Sequence, residues 1–328
     1  MPQESGRRWA IPGVVKGLIM ALVVVAIIMV SLYAYTGMWP PLVVVESDSM
    51  QHSSDRSSIG VIDVGDLVLD KKTNPDTIIT YLQGQPIGYQ TYGEYGDVII
   101  YERYGDPNYK SIIHRVICRV EYNSSGGGFD IPELAGIPQS QWQVLAPEGH
   151  VWWNLKGTVE IYDIGYEDAT IQLDLEAILT YFESRGRTPH SGFITMGDHN
   201  TAHQGSKVVG LYDQMAICRE PIQDSWVTGV ARGELPWFGL LKLWVSGDAL
   251  ENVPQNSVTN LWISLGLIIG VPLALDITTL LLKRRGIEIW AWTKKLNPTR
   301  LFQRNKGSVN GGGDPPEDEG GQVDDKKD

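Results

Sequence analysis

Nineteen consecutive residues without a charge, Gly17 to Tyr35 (GLIMALVVVAIIMVSLYAY), constrain this chain more than any other feature. An α-helix rises about 1.5 Å per residue, so about 20 apolar residues cover the ~30 Å hydrocarbon core of a bilayer. A cleaved secretory leader normally has an apolar stretch of about 7–15 residues and a small-x-small cleavage site. This run is longer and has no clear site of that kind. It is predicted to be a retained transmembrane helix, 17–35, behind a short segment, 1–16. A second run, Leu261 to Leu282, is also long enough to span, although Pro272 and Asp276 interrupt it. Proline is tolerated where neighbouring groups satisfy the freed carbonyl. A carboxylate at mid-bilayer costs roughly 2.5–3.5 kcal/mol on insertion scales. Asp276 therefore either meets a partner helix or lies off-centre or protonated.

Charge orients the chain. Arg7, Arg8 and Lys16 precede the first run, and Lys283, Arg284, Arg285, Lys294 and Lys295 follow the second. Between them, from Trp39 to Asn260, are 14 basic and 29 acidic residues. The positive-inside rule then puts both termini in the cytoplasm and the central domain, 39–260, on the extracytoplasmic side of a multi-pass cell-membrane protein. The Asn123-Ser124-Ser125 sequon agrees with that side. The acidic balance, a net charge of −12, argues against nucleic acid, because a phosphate-binding surface needs clustered Lys and Arg. Two cysteines exclude a disulfide scaffold and a Cys-based zinc module, while a single bridge between Cys118 and Cys218 stays open. The segment 283–306 mixes Trp with Lys and Arg, as a short interfacial helix would. The acidic tail, 307–328, has too little apolar content to offset ordering entropy and is expected to be disordered.

The central region reads as strands. PLVVVES, GDLVLD, TIITYL, GDVIIYERY, SIIHRVICRV and SGFITMGD are short, β-branched and bounded by Gly, Asp, Pro or Asn. Leu173 to Ser184 has helical spacing and ends before Gly186. The expected fold is mainly β: an extracytoplasmic domain with an inserted mixed subdomain at about 119–190, flanked by two transmembrane helices.

Within this frame, Ser49 in SDSM follows Tyr35 by only 14 residues, so its chemistry would occur near the outer membrane surface. A serine in such a stretch is ordinarily a turn residue. His114 in SIIHRVI, by itself, is ordinarily a structural histidine. The ordered set SDSM, GD, GDVIIY, HRVI, GDHN and GVARGELPWFG, over about Val43 to Leu243, resembles the signal peptidase I family. It is similar to the archaeal and endoplasmic-reticulum branch, which uses His where most bacterial enzymes use Lys. The resemblance implies a serine endopeptidase that removes N-terminal signal peptides from exported preproteins. Ser49 would be the nucleophile, His114 the general base, and Ser47 with the Ser49 N–H the oxyanion donors. The family acid would be Asp198 of GDHN or Asp213 of LYDQ. Relatives carry a second aspartate soon after GDxN; here TAHQ stands in that place, and Asp213 would be that residue displaced by an insertion of about nine residues. A departure at Gln51-His52, where many relatives have proline, concerns the loop after the nucleophile.

The residue types suit the chemistry. A serine hydroxyl needs an adjacent base at neutral pH. Histidine can take the proton and return it to the leaving amine, and a carboxylate on its other nitrogen fixes the tautomer. Partners implied are preprotein signal peptides, the lipid membrane and the secretion machinery; no cofactor is implied. Two rival readings remain. One is a metal site from His199, His203, Asp198 and His52, although i, i+4 ligands want a helix and GDHNTAH reads as a turn. The other is a non-catalytic membrane-anchored β domain that binds a partner through the insert carrying Trp142, Trp152 and Trp153.

Overall fold

The computed structural model describes residues 13–145, 151–247 and 252–285. The expectations for Arg7 and Arg8, the interfacial segment after 285 and the acidic tail lie outside these residues. The chain divides into two units, Met1–Ser264 and Leu265–Asp328.

The first apolar run forms helix α1, Gly13–Thr36. Helix α5, Gln255–Arg284, carries the second run and runs from the first unit into the second. Both are long and apolar enough to cross a membrane. Their large side chains, such as Leu18, Ile27, Leu267 and Leu281, are exposed within the protein. Pro272 lies inside α5 without ending it.

Between these helices the described residues form two large sheets and a separate two-stranded one made by β3 and β4. In order, its strands are β1 (Leu42–Val44), β2 (Leu67–Lys71), β3 (Gln90–Thr91), β4 (Glu94–Tyr95), β5 (Val98–Tyr101), β6 (Ile112–Asn123), β7 (Gly128–Asp130) and β8 (Trp142–Val144). There follow β9 (Thr158–Ile164), β10 (Ala169–Asp174), β11 (Gly192–Met196), β12 (Thr201–Gln204), β13 (Lys207–Gly210) and β14 (Val227–Leu235). Three short helices complete it: α2 (Tyr81–Ile87), α3 (Leu175–Ser184) and α4 (Gly239–Ser246). The main sheet has the order β1-β2-β14-β5-β6-β11, with β7 paired to β6. All its pairs are antiparallel. The second sheet has the order β12-β13-β10-β9-β8, with β10 and β13 parallel.

Strand alternation explains the core. Along β5, Val98 and Ile100 face a cluster with Val45, Met50 and Val68, while Ile99 and Tyr101 face one with Val116, Phe193 and Val230. Ile117 and Val120 of β6 join Phe129, Trp142, Ile161, Leu173 and Phe182 in a third cluster, which packs the second sheet onto the first. Burying each such side chain stabilises the fold by about 1.5–3 kcal/mol.

Several expectations need correction. TIITYL is not a strand: Thr80 caps α2, its hydroxyl accepting from the Gln83 N–H while the Gln83 side chain accepts from the Thr80 N–H. This reciprocal cap fixes helix start over β propensity. The inserted subdomain does not end at 190. Strands β12 and β13 rejoin the second sheet after β11 has returned to the first, so the insert is split in sequence. The bridge that the sequence left open between Cys118 and Cys218 is not formed: both are buried free thiols, Cys118 in the core cluster shared by the two sheets and Cys218 in another.

Candidate active site

Ser49 lies in the turn after β1, where the sheet begins. His114 comes from β6, held opposite Ile99 of β5. Asp213 begins a short 3₁₀ turn after β13, and its carbonyl accepts from the N–H groups of Ala216, Ile217 and Cys218. Three elements distant in sequence thus converge. Ser49 Oγ is 2.9 Å from His114 Nε2. His114 Nδ1 is 2.7 Å and 2.8 Å from the two oxygens of Asp213. His114 is 3% exposed and Asp213 1%.

Chemistry assigns the protons. A carboxylate only accepts, so His114 carries its proton on Nδ1 and presents the Nε2 lone pair to the Ser49 hydroxyl. Asp213 Oδ2 also accepts from Tyr101 Oη at 2.6 Å and Thr195 Oγ1 at 2.5 Å. Burial, then the charge of Asp213, pushes the Tyr101 hydroxyl well above its ordinary pKa, so it remains a donor. The carboxylate is therefore satisfied and fixed, as a buried anion must be.

Asp198 belongs to a different network. Arg115 Nε and Nη2 each donate to it at 2.7 Å, and His52 Nε2 lies 3.0 Å from it. Burial opposes its charge, yet the Arg115 guanidinium and then His52 hold its carboxyl below the usual range. The remaining Arg115 nitrogen, Nη1, donates to the carbonyls of Thr91, Glu94, Tyr95 and Gly96. The sequence left two acids open for the imidazole. Geometry gives His114 the Asp213 carboxylate and gives Asp198 to Arg115. The pleat of β6 is the reason: successive side chains point to opposite faces, so His114 and Arg115 reach different acids.

Ser47 is exposed, with its Oγ 3.2 Å from Ser49 Oγ. The Ser49 N–H makes no hydrogen bond to backbone among the described residues. Ser47 and Ser49 line a groove of about 860 Å³ whose lining also includes Leu42 to Val45 and Ser111 to Ile113. Among the described residues each of these two segments has a strand edge without a partner: β1 pairs only with β2, and β6 is paired to β11 only from Arg115 onward. An extended peptide laid in this groove would find backbone groups to pair with on either segment.

His199 and His203 do not form a metal cluster with Asp198 and His52. His199 Nδ1 lies 3.1 Å from the Gln51 carbonyl, and His203 is exposed on β12. No group of three or more His, Cys, Asp or Glu among the described residues has metal-binding geometry. Trp142 is buried in the core and Trp152 packs against it, whereas Trp153 is half exposed.

Sequence reading missed Tyr101 and Thr195, the hydroxyls that hold Asp213. Strand alternation carried a signal for one of them: Tyr101 shares the inner face of β5 with Ile99. No family model, curated protein or solved structure matches the chain. Fold and site together define a mainly β protein with two membrane-length apolar helices and a Ser–His–Asp array, its histidine and aspartate buried and its serine half-buried, beside an apolar groove.

Proposed function

We propose that the protein is a membrane-anchored serine endopeptidase of the signal peptidase type, cutting signal peptides from exported preproteins. The observation that carries this reading is the continuous hydrogen-bonded chain Ser49–His114–Asp213 opening into a groove with two unpaired strand edges. His114 Nε2 takes the Ser49 proton as Oγ attacks the scissile carbonyl, and the imidazolium then gives it to the leaving amine. Asp213 holds the tautomer and stabilises the imidazolium. In this reading the Ser49 N–H and the Ser47 hydroxyl bind the oxyanion; loss of one such donor costs about 2.7–4 kcal/mol of transition-state stabilisation in a well-characterised serine protease. Water then opens the acyl-enzyme by the same proton route.

Membrane proximity supports the choice of substrate. Lys72 N–H donates to the Thr36 carbonyl at 2.8 Å, and the Lys71 ammonium lies 4.6 Å from the Tyr35 ring centroid, tying the end of α1 to β2. Groove residue Pro40 follows Thr36 by four positions. A preprotein whose apolar segment lies in the bilayer would present its following extended segment at this height. In this reading α1 and α5 put both termini in the cytoplasm and the β domain on the extracytoplasmic side. The test is cleavage of a preprotein by detergent-solubilised protein. Ser49→Ala should abolish the mature product while retaining the wild-type melting temperature, and His114→Ala should abolish it in the molecules that remain folded, at a lower melting temperature because the buried Asp213 loses a donor; undiminished cleavage by Ser49→Ala would sink the mechanism.

A further inference from the structure

The turn between β9 and β10 in the second sheet reaches the loop that carries Ser49. Tyr166, in that turn, stacks on His52 with ring centroids 4.5 Å apart and planes 20° apart. Its hydroxyl lies 3.0 Å from His199 Nδ1. Both histidines grip the nucleophile loop. His199 N–H donates to the Ser49 carbonyl at 2.8 Å, and His199 Nδ1 reaches the Gln51 carbonyl. His52, three residues after Ser49, is tied to Asp198 and through it to Arg115 of β6.

The turn is itself pinned. Gly165 N–H donates to the hydroxyl of buried Tyr81 at 3.1 Å, and Thr201 Oγ1 donates to Glu167 Oε2 at 2.5 Å. Asp163 and Asp168, on either side of it, have φ of 58° and 50°. Aspartate is among the few non-glycine residues that adopt left-handed backbone, and here the two bound a tight turn. These contacts aim one ring at the back of the Ser49 loop.

We infer that Tyr166 is a positioning residue for Ser49, acting through His52 and His199, so that the second sheet is part of the active-site scaffold and not only an insertion packed beside it. The inference rests on the endopeptidase reading for its kinetic test and is independent of it for its structural test. Without Tyr166 the ring of His52 loses its stacking partner and His199 loses one of its two Nδ1 contacts. The Ser49 carbonyl is then held by a freer clamp, and Oγ samples positions away from His114 Nε2. A displacement near 1 Å costs up to about a hundred-fold in rate.

The experiment compares full-length wild type, Tyr166→Ala, Tyr166→Phe and Ile161→Val in detergent, well below their melting temperatures. Ile161 is fully buried in the same sheet, in the core cluster with Phe129 and Trp142, so its variant reports general loosening of that sheet. Three quantities are read: kcat and KM on a preprotein, the rate at which a fluorophosphonate labels Ser49, and hydrogen exchange of the His199 amide. Tyr166→Ala should lower kcat and labelling by about ten- to a hundred-fold with KM little changed, and speed His199 exchange by about ten-fold or more. Tyr166→Phe, which keeps the stack, should fall between it and wild type. Tyr166→Ala behaving like Ile161→Val in all three quantities would overturn the inference. Wild type inert toward preprotein and fluorophosphonate would overturn the endopeptidase reading alone; faster His199 exchange in Tyr166→Ala would then still support the positioning role, and unchanged exchange would refute it.

Discussion

Replacing each acid by its amide separates the two carboxylates. In Asp213→Asn the side-chain oxygen must stay where Oδ2 is, because the Tyr101 and Thr195 hydroxyls both donate there. The new amide nitrogen then occupies the Oδ1 position, 2.7 Å from His114 Nδ1. An N–H facing Nδ1 makes that nitrogen an acceptor and moves the ring proton to Nε2, opposite Ser49. The base is then in the wrong tautomer. The same change in a well-characterised Ser-His-Asp protease lowers kcat about ten-thousand-fold, or roughly 5.5 kcal/mol. The packing survives, so the melting temperature should change little. Asp198→Asn has the opposite signature. It leaves the Arg115 charge, about 1% exposed, without its carboxylate, and breaking one partner of a buried pair costs about 3–5 kcal/mol. That corresponds to roughly 10 °C in melting temperature for a domain this size. Activity per folded molecule should drop far less than in Asp213→Asn. The assay is preprotein cleavage alongside thermal unfolding in the same detergent. An Asp213→Asn protein retaining kcat within about ten-fold, or an Asp198→Asn protein that is fully stable but inert, would refute this division of labour.

Two further outcomes follow from the geometry. A Cβ on Gly197 would lie 2.4 Å from the Ser49 carbonyl oxygen and 2.9 Å from His114 Nε2, so Gly197→Ala should lower kcat by about a hundred-fold or more, measured with titrated active sites; wild-type kcat would show that the nucleophile loop yields without cost. Burial, opposed by a hydrogen bond from the Gly60 N–H and assisted by Asp63, pushes the Glu234 carboxyl up to about 7. The unfolded chain gives up this proton first, so wild-type stability erodes as pH rises from the ordinary glutamate value, near 4.5, through 7. Glu234→Gln keeps an acceptor for Gly60 and avoids the loss. It should match wild type near pH 4 and exceed it by about 1–2 kcal/mol above pH 7, after discounting for partial exposure; a difference independent of pH in denaturant melts would contradict this origin.

Much of the molecule is local in its causes. The two apolar runs become helices because length and absence of charge are properties of contiguous residues. GDVIIY, SIIHRVICRV and SGFITMGD become β5, β6 and β11 because β-branched runs bounded by turn residues suit a pleated, buried surface. TIITYL shows the limit of that signal, since a reciprocal Thr80–Gln83 cap turned its second half into α2. Ser49, His114 and the two acids were visible as residue types.

Which acid meets the imidazole was decided only by tertiary structure. Strands β12 and β13 carry the chain away to pair with β10 and bring it back with Asp213 beside Thr195 of β11. No local pattern reports that excursion, because its reward is parallel pairing with a strand whose partner lies far along the chain. The fate of the cysteines was likewise decided in three dimensions, by the separate cores that enclose them. So was the contact of Tyr166 with the nucleophile loop. Sequence determined what each segment can form and which chemistry was in stock; long-range packing, which closes loops only when the whole sheet is assembled, determined which of those groups stand within 3 Å of one another.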